Sequence, residues 1–177
     1  MYTYMHVSRE TQYNDGFVLN PQTGFDFRGN SKMQMLETIF DSEFFAGLER
    51  LAADGLSWQG SHHLFNGYNS GKFSFNTWLL EMYVERERQA SHREKPSRFQ
   101  SAFAWQDMAA AVRFMKKYGA GTVYAVEPLS DTAILDMNLL KAETAANYWG
   151  GKLHPEDGYV PEYEVVMKLP VKVLEKI

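Results

Sequence analysis

The sequence has 177 residues, a formal net charge of −4 and no cysteine, which excludes disulfides, Cys-ligated zinc or iron–sulfur clusters and a thiol nucleophile. Hydrophobic residues at 45% against 23% charged match a globular chain with a real core and exclude disordered, collagen-like and coiled-coil readings. The acidic balance speaks against broad phosphate-backbone binding, and no apolar run reaches the roughly 18 residues of a membrane span. The opening MYTYMHVSRE lacks the basic end and apolar stretch of a signal peptide, so the expected address is the cytoplasm, with no membrane partner. Twelve Phe, ten Tyr and four Trp form either a core of large rings or a cleft for a planar ligand.

From Tyr2 to Arg9 the residues alternate, Met5 and Val7 on one face and Tyr2, Tyr4, His6 and Ser8 on the other, which predicts a half-buried strand. Asn14-Asp15-Gly16 is a turn, and Asn20–Asn30 a connection. A helix is expected from Ser31, with Ser31 as N-cap, and a second from Ser42 to Ala53, stopped by Asp54-Gly55. Ser57–Gly71, with three glycines and the pair His62-His63, reads as a long functional loop. Helix returns near Thr77, with Leu79, Met82 and Tyr83 on one face and Glu81, Glu85, Arg86 and Arg88 on the other, and the charged run continues to an exposed connection before Pro96. Ser97–Ala104 is extended, and a helix follows from Met108, closed by Gly119. Strands are expected over Thr122–Pro128 and Ala133–Asp136, a helix over Leu139–Trp149, and two closing strands over Glu162–Leu169 and Val171–Ile177. The pattern is a single mixed α+β domain over 1–177.

Three groups of residues could carry chemistry. On the late strand, Glu162 and Glu164 share a face about 7 Å apart, opposite the apolar Tyr163, Val165, Met167 and Leu169; such a pair is either a solvated strand face or a functional carboxylate pair. Ser97, Arg98 and Ser101 could bind phosphate or hold a carboxylate, or be a turn residue and a surface ion-pair partner. His6, with Tyr2 and Tyr4 beside it, is either a hydrogen-bonded structural histidine or a contact for the ribose and amide of a nucleotide. His62-His63, His92 and His154 show no metal-ligand spacing, so no metal is expected. GxGxxG, GxxxxGK[ST] and GxSxG are all missing from the sequence.

Taken together, YMHVSR, then SRFQSAFAWQDMAAAVRFMKKYGAGTVYAVEP, then EYEVVMKLPVKVLEKI resemble the ADP-ribosyltransferase superfamily. Its members carry Arg or His on the first strand, an aromatic-hydroxyl-basic segment or Tyr in the middle, and Glu on a late strand. PSRFQSAFA and NYWGG are also similar to an uncharacterised bacterial domain family of about this length. The sequence departs from the pattern where His6 is followed by Val7-Ser8-Arg9 instead of Gly-Thr or Gly-Ser, and where Ser101 lies in Ser-Ala-Phe instead of Ser-Thr-Ser. The resemblance implies a split β-sheet fold with flanking helices and a mono-ADP-ribosyltransferase, a glycosyltransferase-class enzyme taking NAD as substrate. It implies that His6 holds the nicotinamide amide, Ser8 the ribose, Arg9 or Arg98 the pyrophosphate, and Phe103 or Trp105 the nicotinamide ring, with Ser101 lining the site. Glu164 would stabilise the ribosyl cation, facing His6 across one cleft, and Glu162 would orient or deprotonate the acceptor. The acceptor could be a protein, a nucleic acid, a small molecule or water, and the setting a bacterial or phage toxin or conflict factor. A catalytically inactive nucleotide- or protein-binding member of the same fold is the alternative, followed by an unrelated α+β interaction domain.

Overall fold

The computed structural model describes residues 3–9, 12–66, 75–151 and 158–177; Tyr2, Gly67, Gly71 and His154 lie outside the described residues. In chain order these form β1 (Tyr4–Ser8), β2 (Val18–Leu19), α1 (Ser31–Ile39), α2 (Ser42–Asp54), α3 (Trp58–Ser61) running into a π-helical turn (His62–Asn66), and α4 (Phe75–Ser91). A 3-10 turn (Arg98–Gln100) leads into β3 (Ser101–Ala104), followed by α5 (Met108–Tyr118), β4 (Thr122–Pro128) and β5 (Thr132–Asp136). Two 3-10 turns (Met137–Leu139 and Ala142–Thr144), α6 (Ala145–Gly150), β6 (Tyr163–Lys168) and β7 (Val171–Lys176) close the chain.

The fold is mixed α+β, with two antiparallel sheets in the orders β1-β4-β7-β2 and β3-β6-β5. Among the described residues they meet at a single bridge, where Met5 and Trp105 exchange both backbone hydrogen bonds (2.8 and 2.9 Å). Beyond that rung the ladder parts. The facing sides enclose one core, with Tyr4, Tyr124, Val126, Val171 and Val173 from the first sheet and Ala104, Val165 and Met167 from the second. Each outer side has its own helical cover. Met5, Val7 and Val123 pack with Trp105 and the α5 residues Ala111 and Phe114; Ala133, Leu135 and Val166 pack with Val84 of α4 and Tyr148 and Trp149 of α6. The helices α1, α2 and α4 build a further core from Met33, Leu36, Phe44, Leu48, Trp78 and Met82, joined by Leu64 and Phe99.

Local signals account for most boundaries. Asn30, not Ser31, caps α1 by accepting from the Lys32 N–H (3.0 Å), because Asn30 has the extended backbone of a cap and Ser31 is already helical. Asp41 caps α2 through Phe44 N–H (2.9 Å), and Gly55 ends it at φ 110°, a conformation that favours glycine. Asp107 caps α5 and Gly119 closes it. Two further expectations are corrected. The stretch from Ser57 is not a loop through residue 66: Ser57 caps a helical turn by accepting from Gly60 N–H (2.9 Å), and the π-helical turn carries on from it. The expected helix over Leu139–Trp149 is two 3-10 turns and a six-residue helix.

Gly60 is where α3 lies against the 3-10 turn: a Cβ there would come within 1.9 Å of the Phe99 carbonyl oxygen. That carbonyl also accepts from Ser57 N–H (2.8 Å). Gly60→Ala must push backbone from backbone and is expected to cost about 1–3 kcal/mol in urea unfolding. A loss under about 0.5 kcal/mol would show that the approach is not tight.

Candidate functional site

Helix periodicity places Glu81, Glu85 and Arg88 along one stripe of α4, and this stripe is buried instead of solvated. Of the four charged residues expected on that face, Arg86 is the exposed one, paired with Asp41 (3.0 Å). The stripe meets the segment Ser97–Gln100. Glu85 takes Arg88 (2.7 Å) and the Ser97 hydroxyl (2.9 Å), while Arg88 Nη1 donates to the Lys95 carbonyl (3.0 Å). The chain leaving α4 is thereby tied down, and the next residue, Arg98, is delivered into the space between α4, α6 and the outer side of β6.

Arg98 is 7% exposed and bound on two sides. Its Nε and Nη2 donate to the two oxygens of Glu81 (3.0 and 3.2 Å). Its Nη1 donates to Glu164 Oε1 (2.7 Å) and to the Tyr148 hydroxyl oxygen (2.7 Å), and that hydroxyl donates to the same Glu164 Oε1 (2.8 Å). The guanidinium lies 4.5 Å from the centre of the Phe103 ring, a cation–π contact. Burial opposes the charge on Arg98, but Glu164 and Glu81 outweigh it and hold the group well above its ordinary pKa. Burial also pushes the Glu81 carboxyl up, and Arg98 reverses this so that it ends below the usual range. The Tyr148 hydroxyl is pushed well up, chiefly by burial. His63, from the π-helical turn, feels both Glu81 and Arg98; its pKa is lowered, first by burial.

Two carboxylates share one guanidinium, so the cluster carries one uncompensated negative charge. Glu164 is anchored through one oxygen only. Among the described residues its Oε2 makes no hydrogen bond, and Glu164 is only 3% exposed.

The remaining candidates divide. Arg98, Phe103 and Glu164 come together; the pyrophosphate role of Arg98 is corrected, because four of its five N–H groups are held by protein and the side chain is buried. Ser101 is wholly buried, its hydroxyl donating to the Ser97 carbonyl (2.7 Å), so it closes the turn instead of lining a cleft. His6 does not face Glu164. It pairs with Tyr124 on the side that lines the core between the sheets, whereas Glu164 alternates with the core residue Val165 and faces α4 and α6. His6 Nδ1 donates to the Phe103 carbonyl (2.7 Å); a carbonyl only accepts, so Nε2 keeps its lone pair. Burial lowers the His6 pKa, partly offset by that bond. Ser8 is buried on the same side of β1. Arg9 is exposed, donates to the Tyr118 carbonyl (3.0 Å) at the end of α5 and lies 5.8 Å from the Phe114 ring. Glu162 is at the rim, bonded to Lys117 (2.9 Å); its N–H donates to Asp136 (3.0 Å), which also takes the Tyr159 hydroxyl. Trp105 packs on Phe114, the rings tilted by 36° with centres 4.0 Å apart, and its buried indole N–H has no partner among the described residues. Also among the described residues, no group of three His, Asp or Glu could hold a metal ion, and no helix is long and apolar enough to cross a membrane.

Sequence reasoning missed Glu81, Tyr148 and His63 as site residues. The i, i+4 spacing of Glu81 and Glu85 beside an Arg-containing turn was the available signal, but it reads equally as a solvated helix face. The chain matches no family model and no curated protein.

Removing one partner of a buried pair leaves a charge with no counter-ion. Arg98→Ala, which leaves Glu81 and Glu164 buried without their shared counter-ion, is therefore expected to cost about 3–5 kcal/mol in chemical denaturation, against under about 1 kcal/mol for Glu43→Ala at the exposed Arg93 pair. Equal losses would sink the buried-cluster account. The pH dependence follows the lowered values. Neutral His6 is favoured in the fold, so its contribution is full above the ordinary 6.5 and is lost as pH falls through the lower folded value. Thermal melts from pH 7.5 to 5 should show falling stability, with a flatter profile for His6→Gln.

Proposed function

We propose that the chain is an ADP-ribosyltransferase-like enzyme, in which a split β-sheet carries a site that cleaves the nicotinamide N-glycosidic bond of NAD and passes ADP-ribose to an acceptor. The observation that carries this reading is the carboxylate of Glu164 on the late strand, held through Oε1 by Arg98 and Tyr148 in a buried cluster of two carboxylates and one guanidinium. When the glycosidic bond breaks, its electron pair leaves with neutral nicotinamide and positive charge develops on the ribosyl carbon and ring oxygen. A carboxylate already oriented in a low-dielectric setting stabilises that charge without reorganising. The acceptor's nucleophilic atom then bonds to the ribosyl carbon and gives up its proton. Glu162, at the rim and held by the half-exposed Lys117, is the base for that proton; an exposed ion pair of this kind is worth little and yields readily.

The architecture supports the same reading. Two sheets joined, among the described residues, by one bridge between the first strand and the end of the Ser101 strand agree with the split sheet that the resemblance implies, and Glu162 and Glu164 flank the first residue of the late strand β6. A nucleotide- or protein-binding domain of this fold without turnover is favoured by one observation, the placement of His6 and Glu164 on opposite sides of the sheets.

Incubation with NAD separates the two. Nicotinamide release is expected from the wild type and reduced roughly 10²–10³-fold in Glu164→Gln, with the melting temperature retained. No release, with a thermal shift on adding NAD, supports the binding domain; neither release nor shift overturns both.

A further inference from the structure

We propose that β5 pairs with β5 of a second copy of this chain, antiparallel about a two-fold axis at Ile134, so that two three-stranded sheets become one continuous sheet. This pairing is independent of NAD cleavage. β5 is the outer strand of its sheet, and the bonds that extend its ladder with β6 show which way its backbone groups point. Lys168 N–H donates to the Asp131 carbonyl (2.9 Å) and Met137 N–H to the Glu162 carbonyl (2.8 Å). In an antiparallel pair, residues that bond to the neighbouring strand alternate with residues that do not, so Asp131, Ala133, Leu135 and Met137 turn toward β6. Thr132, Ile134 and Asp136 turn their N–H and C=O groups to the open edge, where among the described residues no hydrogen bond meets them.

The strand carries no guard against such pairing. Sheet edges are ordinarily blunted by lysine, proline or a bulge; Thr132–Asp136 has neither residue, and its register with β6 is unbroken. By contrast β2, at the edge of the other sheet, is two residues long and runs into Asn20-Pro21. Any extended chain could bond to the β5 backbone; the side chains favour a copy of the same strand. Ile134 opposes the core residue Val165 and shares its side of the sheet, yet it is 44% exposed. With the axis at Ile134 the two isoleucines meet each other, and an apolar cross-strand pair leaves water. Asp136 then falls opposite Thr132 of the other copy, so no like charges meet, whereas an axis at Asp136 would set two carboxylates face to face. The Asp136 carboxylate is turned onto its own chain by Asn138 N–H, Glu162 N–H and the Tyr159 hydroxyl. A pairing this short covers less than the roughly 1,000 Å² of a tight complex, and the affinity is expected to be micromolar or weaker.

Sedimentation velocity from low-micromolar to near-millimolar protein is expected to show a monomer–dimer equilibrium. Ile134→Lys and Ile134→Glu each set two like charges against one another at the axis; both are expected to lose the dimer while keeping the wild-type melting temperature. Mixing the two variants in equal amounts sets opposite charges there and is expected to restore it, a rescue that requires residue 134 to meet itself. Amide hydrogen exchange needs only the wild type: protection of Ile134 N–H should rise with protein concentration, and that of Ala133 N–H, already turned to β6, should not. A chain that stays monomeric throughout, or a dimer indifferent to residue 134, overturns the proposal. A monomer whose Ile134 amide is protected only on adding an unrelated extended peptide overturns it too, and gives the edge to a foreign strand.

Discussion

A guanidinium taken out of water must be met by charge on the inside, and the arrangement around Arg98 follows from that requirement. Transfer of an unpaired ion into the interior costs several kcal/mol, so Arg98 can be buried only where Glu81 and Glu164 reach it. Those two residues belong to α4 and β6, and Tyr148, which bridges Arg98 and Glu164, belongs to α6. The pairing therefore fixes how two helices lie on the outer side of the three-stranded sheet. Apolar burial of Val84, Leu135, Trp149 and Val166 supplies the attraction; the ionic cluster supplies the register, because hydrogen bonds are directional and hydrophobic contact is not.

A second buried ion pair prepares the first. Glu85, Arg88 and Ser97 tie the chain leaving α4 back onto the helix, and the Arg88 guanidinium takes up the Lys95 carbonyl of that connection. This places Arg98 one residue beyond a fixed point. Gly60 lets α3 approach the same turn from the other side, and the π-helical turn that follows brings His63 beside Glu81. Segments distant in the chain thus converge on one short turn, and the hydroxyl of Ser101 closes it.

The split between the sheets has its own consequence. With Met5 and Trp105 forming a rung between them, the sheets fold toward each other, and each strand gains an inner and an outer side. Alternation decides which residue goes where: His6 follows Tyr4 inward, and Glu164 follows Val166 outward. A one-residue register shift would reverse either assignment. Both are specified, since Val165 and Met167 must be inside.

Local patterning determined a good deal by itself. The alternation of β1 and β6, the caps at Asp41 and Asp107 and the stops at Gly55 and Gly119 depend on neighbours within a few residues, and the sequence displays them directly. The grouping of Arg98 with Phe103 and Glu164 was partly legible, since all three were candidates. Their partners were not, because a helix stripe of Glu81, Glu85 and Arg88 reads the same whether water or a buried arginine faces it. Only the tertiary structure decides that, and with it whether Glu164 is a solvated surface acid or an anchored one. The physical reason is that a charge's role is set by what surrounds it in space, and α4, α6 and β6 are brought around Arg98 by contacts spanning 17, 50 and 66 positions of sequence.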